Sequence, residues 1–118
     1  MTKLTDCDYT IEETSEINND LNKLSSIPNF PKAYVIFKEA LPHLVCEREF
    51  YRSRGIFRIS NLKCDCEAYI IKKIFCKGVG KDHFRATYII SGKIIRIVEI
   101  YSKNHKDIED KERICKHC

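Results

Sequence analysis

The spacing of apolar residues changes midway along this 118-residue chain, and that change restricts the fold more than any motif does. Up to about residue 45 they recur at intervals of three and four: Ile17, Leu21 and Leu24, then Phe30, Ala33, Tyr34, Phe37, Leu41 and Leu44. Such spacing gathers side chains on one face of a helix. From Ile56 onward the period falls to two, in Ile56–Ile59, Tyr69–Lys77, Phe84–Ile90 and Lys93–Tyr101. Successive side chains of a strand point to opposite faces, so these runs read as strands. Two helices followed by strands is an α+β layout, with the helices packed on one sheet face.

The punctuation between these runs sharpens the expectation. Leu4–Asp8 reads as a short first strand, and Thr10-Ile11-Glu12-Glu13 as a capping box opening the first helix. Ser25-Ser26-Ile27-Pro28-Asn29 breaks that helix, and a second begins at Asn29. Pro42 is expected to kink or end it, because proline lacks the amide donor and crowds the preceding turn. Gly55 marks the entrance to the first of the later strands, Gly78 and Gly80 link two others, and Ser91-Gly92 closes a tight hairpin. A short terminal helix from about Asp107 to Ile114 draws support from Asp107–Lys111 and Glu109–Arg113 pairs. The expected fold is therefore α+β: a short first strand, two helices, an antiparallel sheet of three to four strands and a short C-terminal helix. At this length residues 1–118 form one domain, too small for separate cofactor and substrate domains.

Charge is divided unevenly. Residues 1–31 hold two basic and six acidic side chains, a net −4, whereas the remainder holds 19 basic and 11 acidic, a net +8. A concentrated positive charge on a small domain suits a polyanion or an acidic protein partner. No apolar run nears the roughly 18 residues of a membrane span, and the first residues lack an apolar signal core. The expected compartment is the cytoplasm, with no membrane partner, and the seven cysteines are expected to be reduced.

Three groups of residues are chemically suggestive. Lys72, Lys73, Lys77, Lys81 and Arg85 fall within fourteen residues, and Arg85 projects opposite Phe84, Ala86 and Tyr88. An arginine fork holds a phosphate with two parallel hydrogen bonds, and clustered ammonium groups lower one another's pKa. The ordinary alternative is a sheet carrying lysines on its wet face. Lys77-Gly78-Val79-Gly80-Lys81 is not a nucleotide loop, because Phe75 and Asp82 stand where that motif needs Gly and Ser or Thr. Next come Cys64, Cys66, Cys76, Cys115, His117 and Cys118. Cys64 and Cys66 have one intervening residue where structural zinc sites usually have two to four, so no metal and no cofactor is expected. Last, Glu99, Tyr101 and Lys103 share one strand face near His105, whose pKa suits proton transfer.

The run Ala68–Gly78 leading into Phe84-Arg85-Ala86-Thr87-Tyr88, then Ile97–Lys103 and a charged terminal helix, resembles the RelE/ParE toxin superfamily, in particular its RelE-like members. The resemblance extends over nearly the whole chain. It implies a toxin of a type II toxin–antitoxin system, neutralised by an antitoxin encoded nearby. RelE-like members are endoribonucleases that cut mRNA on the ribosome; ParE-like members inhibit gyrase without being nucleases. On this resemblance Arg85 takes the position that contacts the scissile phosphate. Lys72, Lys73 and Lys77 fall near the basic strand positions, and Lys103 near a second basic position. Lys72, Lys73, Lys103 and His105 are thus candidates for moving protons, and Lys77, Lys81 and Arg85 for binding RNA. Some members carry an arginine where Asn104 or His105 stands, and some a catalytic tyrosine where this chain has 107–110. The alternatives are a non-catalytic ParE-like gyrase inhibitor or partner-binding domain, and a small zinc-binding nucleic-acid module.

Overall fold

The computed structural model of the chain describes residues 8–26, 30–47, 49, 51–53, 55–72, 84–102 and 110–118. In order these form β1 (Thr10–Glu13), α1 (Ile17–Leu24), α2 (Phe30–Cys46), β2 (Ile56–Arg58), β3 (Glu67–Ile71), β4 (Phe84–Ser91), β5 (Ile94–Ser102) and α3 (Lys111–Lys116). The fold is α+β, as the change of period requires.

The strands make one mixed sheet in the order β1-β5-β4-β3-β2. The last four strands are antiparallel neighbours, and β1 adds in parallel to β5. A short first strand ahead of the helices and up to four antiparallel strands were expected; what the structure adds is the parallel pairing of a first strand with β5. That strand is formed by Thr10–Glu13, the residues read from sequence as a capping box. Backbone pairing along β5, Thr10 with Ile94 through Glu13 with Ile97, outweighs the local helix-start signal. Ile11 turns inward against the core while Thr10, Glu12 and Glu13 stay exposed. Helix α1 accordingly starts seven residues later than Thr10. Of the first strand expected at Leu4–Asp8, all but Asp8 lies outside the described residues.

Hairpin β4–β5 turns through Gly92-Lys93, with Ser91 opposite Ile94, one residue beyond the expected Ser91-Gly92. Gly92 has φ +60°, the left-handed value that a two-residue turn of type II′ needs at its first position. Within β5 a bulge leaves Val98 between the partners of Thr87 and Tyr88, which are Glu99 and Ile97. Val98 and Glu99 are thereby both placed on the side of the sheet away from α1 and α2.

Helix α2 runs four residues beyond Pro42. Leu41 and Val45 flank the proline and are both fully buried, so packing of that stripe sustains the helix across the missing hydrogen bond. Its face, Phe30, Ala33, Tyr34, Phe37 and Leu41, meets Phe84, Ala86, Tyr88, Ile97 and Ile100 of the sheet. The ring of Phe84 lies edge-on to Phe30 and Phe37, at centroid distances of 5.2 and 5.5 Å.

The opposite sheet face is covered as well, which the sequence did not suggest. Ile59, Ala68, Ile70, Ile89, Val98, Tyr101 and Ile114 form a second, smaller core there. Helix α3 brings Ile114 to it and is capped by Asp110, whose carboxylate accepts the Arg113 N–H at 3.0 Å. Of the pairs expected to support this helix, Asp107 and Glu109 lie outside the described residues. Disulfides Cys64–Cys115 and Cys66–Cys118 join α3 to the segment entering β3, with Cα separations of 5.6 and 5.7 Å. The expectation of scattered, reduced cysteines is corrected here. Cys64 and Cys66 run into the second face, and α3 lays Cys115 and Cys118 over it.

Candidate functional site

The candidate site lies at the end of the sheet where β3 stops, β4 starts and β5 stops. Ile71 pairs with Ala86, and Arg85 pairs with Tyr101, so Lys72, Arg85 and Tyr101 fall on three adjacent strands at one end. Tyr101 belongs to the second core, whereas Phe84 and Ala86 belong to the first. Arg85 therefore stands on the second face. The described chain leaves the sheet at Lys72, re-enters at Phe84 and leaves again at Ser102, all at this end. Lys73, Lys77, Lys81, Lys103 and His105 lie outside the described residues.

Arg85 is half-buried, and its Nε–H has no hydrogen-bond acceptor among the described residues. Two positions along the same face, Thr87 is fully buried with its hydroxyl equally unpartnered among them. Buried donors without acceptors are uncommon in native structures and point to a bound water, an ion or a ligand. A guanidinium with an unspent N–H is suited to the oxygens of a phosphate. Lys72 is exposed at the same end, with its ammonium 5.4 Å from the centroid of the Phe57 ring. Phe57 pairs with Ile70 of the second core, so Lys72 also leans toward the Arg85 side.

Next to this site is an ionic cluster. Past Ile97 the outer edge of β5 has no β1 partner, and the Asp20 carboxylate accepts the Ile100 N–H at 3.0 Å. Arg113 from α3 holds the same carboxylate with two donors, at 3.2 and 2.7 Å. Glu99 lies 3.9 Å from Arg113 Nη1, and Glu16 lies 3.5 Å from its Nε. Burial works against the Arg113 charge, but Asp20, Glu99 and Glu16 outweigh it and hold the guanidinium above its ordinary pKa. Burial pushes the Glu99 carboxyl upward, partly offset by the Asp110 N–H and by Arg113. Glu99 and Tyr101 do share a face, yet Glu99 is engaged in anchoring α3.

Asp20 was missed at the sequence level although a signal was present. It sits three residues after Ile17 and four before Leu24, on the apolar stripe of α1, where a carboxylate needs a buried cation. Thr87 offered no such signal, since threonine is ordinary in strands. Among the cysteine group, Cys76 lies outside the described residues and His117 is directed elsewhere, its Nε2 2.6 Å from Glu16. That contact, helped by the charges of Arg113 and Lys116, keeps the Glu16 carboxyl below its ordinary pKa against the opposing effect of burial.

No protein-family profile matches the chain, and no curated protein sequence matches it. Among solved structures it is similar to a chain of the crystal structure of an archaeal RelE–RelB complex from Pyrococcus horikoshii OT3. The TM-score is 0.50 at 15% sequence identity, over 83% of this chain and 98% of that one. At that identity the similarity speaks for the fold, which is RelE-like.

Proposed function

We propose that this chain is a cytoplasmic RelE-like toxin of a toxin–antitoxin pair and cleaves mRNA on the ribosome. The observation that carries the reading is Arg85: a half-buried guanidinium with an unspent N–H, at the end of a RelE-like sheet from which two lysine-bearing segments leave. In the proposed reaction a ribose 2′-oxygen attacks the adjacent phosphorus and the 5′-oxygen leaves. Arg85 stabilises the negative charge that develops on the phosphoryl oxygens, and Thr87 adds a donor behind it. Lys72, Lys73, Lys103 or His105 takes the proton from the 2′-hydroxyl and returns one to the leaving oxygen. Lys77 and Lys81 hold the RNA backbone. The solved neighbour is a RelE–RelB complex, and the +8 charge over residues 32–118 suits an acidic antitoxin as the corresponding partner here.

Arg85→Ala is expected to relieve growth arrest and to lower ribosome-dependent mRNA cleavage roughly 100–1,000-fold, the usual loss for one such donor. Arg85→Lys should recover part of it, because an ammonium lacks the planar fork. Primer extension on translated mRNA reads the cleavage, and thermal melts check that both variants fold. Full cleavage by a folded Arg85→Ala protein would remove the assigned role. Gyrase inhibition without mRNA cleavage by the wild type would replace the reading with the ParE-like one.

A further inference from the structure

The four cysteines on the second face come from two short pairs rather than from four unrelated places. Cys64 and Cys66 are two residues apart on the run into β3, and Cys66 packs on the core built by Ala68 and Ile70. Ahead of β3, Cys64 and Cys66 are half-buried and the intervening Asp65 is exposed, and both sulfurs reach the cysteines of α3 and its C-terminal end. Cys115 and Cys118 are one turn apart at the end of α3, and the Cys118 N–H donates to the Cys115 carbonyl at 3.3 Å. The Sγ atoms of Cys64, Cys66 and Cys118 all lie within 4.8 Å of one another, and Cys115 is joined to Cys64. Two independent disulfides have no need to bring sulfurs of different bonds so close. A single ion does, since four sulfurs at about 2.3 Å from zinc are about 3.8 Å apart.

We propose that in the reduced chain Cys64, Cys66, Cys115 and Cys118 bind one zinc ion as a structural four-thiolate site that fastens α3 to the sheet. Opening the two disulfides consumes four electrons and four protons from a dithiol reductant and yields four thiols. Zinc then displaces four protons as the thiolates bind. The resulting site carries a net double negative charge, and the residues interleaved with the cysteines are of both signs: Lys63 and Lys116 on one side, Asp65 and Glu67 on the other. Arg96 adds a further anchor by donating to the His117 carbonyl at 2.8 Å. The one-residue spacing that argued against metal in the sequence is compensated by the second pair, which α3 delivers from about fifty residues away. The proposal is independent of the nuclease reading, because it concerns how α3 is held.

The test uses the full chain, produced with zinc in the medium and purified with a reductant but no chelator. Elemental analysis should find about one zinc per chain. A mercurial titrating the thiols should release that zinc. Cys64→Ser/Cys66→Ser and Cys115→Ser/Cys118→Ser should each lose it. Where a double variant fails to fold, cobalt substitution of the wild type decides, since tetrahedral thiolate coordination gives intense near-ultraviolet charge transfer and visible bands. Reduced protein without stoichiometric metal would overturn the site. So would both disulfides persisting through the reductant, metal that survives both double variants, or a cobalt spectrum lacking thiolate bands.

Discussion

Beneath α1 and α2, eighteen buried residues among those described form a continuous core rich in aromatic rings. On the other face the corresponding cluster has seven, and α3 is too short to add many more. The first face holds its helices by area and ring packing, with Phe84, Ala86 and Tyr88 fully buried. The second holds its helix by a two-pronged ion pair, a hydrogen bond from the Asp110 N–H to Glu99 of β5 and two sulfur links. A small apolar area leaves polar groups among its contacts, and Arg85 and Thr87 are on this face. The packed face supports the molecule, and the polar face is where specific binding has room to arise.

The most disruptive test of that contrast is Phe84→Ala. It removes a ring that bridges Phe30 and Phe37 on one side and the β-strands on the other, and should cost about 3–5 kcal/mol. Chemical denaturation should show both faces failing together, with backbone exchange accelerating throughout. Retention of protected α1 and α2 amides while the sheet unfolds would show that the first face is not one cooperative unit.

A smaller and more local loss is expected for Arg113→Ala. It leaves the Asp20 carboxylate buried without its cation, at a cost of about 3 kcal/mol, the low end for breaking such a pair. Amide exchange should rise first in α3 and at the outer edge of β5. Arg113→Ala combined with Asp20→Asn should lose less than Arg113→Ala alone, because the stranded charge is removed. Equal destabilisation of the single and double variants would mean that Arg113 acts by packing its aliphatic stem.

The mildest effect should appear on acidification. The Glu16 carboxyl is depressed in the fold by its hydrogen bond to His117, so it contributes stability that is present above its ordinary value of 4.5. That contribution is lost as pH falls through the depressed folded value. Exchange protection in α3 of the wild type should fall across that window more than in Glu16→Gln, while α2 responds equally in both. An identical acid response in the two proteins would relieve Glu16 of any part in fastening the helix.

Helices α1 and α2, most of the strands and the first core were legible in the sequence because each follows a local period. Phe30 to Leu41 at intervals of three and four could build only one apolar stripe, and the run from Phe84 to Ile90 alternates between faces. Arg85 could be placed on the face away from Phe84 for the same reason. The lysines proposed around it include only Lys72 among the described residues, and that one meets Phe57.

What the chain order by itself determined is the helix stripes, the hairpin at Gly92 and the alternation that separates Arg85 from the aromatic core. Tertiary structure decided the rest. Thr10–Glu13 became a strand because β5 offered an unpaired edge, a partner more than eighty residues distant in sequence. Asp20 and Arg113, 93 residues apart, met across the end of that edge, and Cys64 and Cys66 found Cys115 and Cys118 on the helix laid over them. Local periodicity reports only which side of an element is apolar. Charge pairing and sulfur clustering depend on distances between elements, and those exist only once the two sheet faces have been covered.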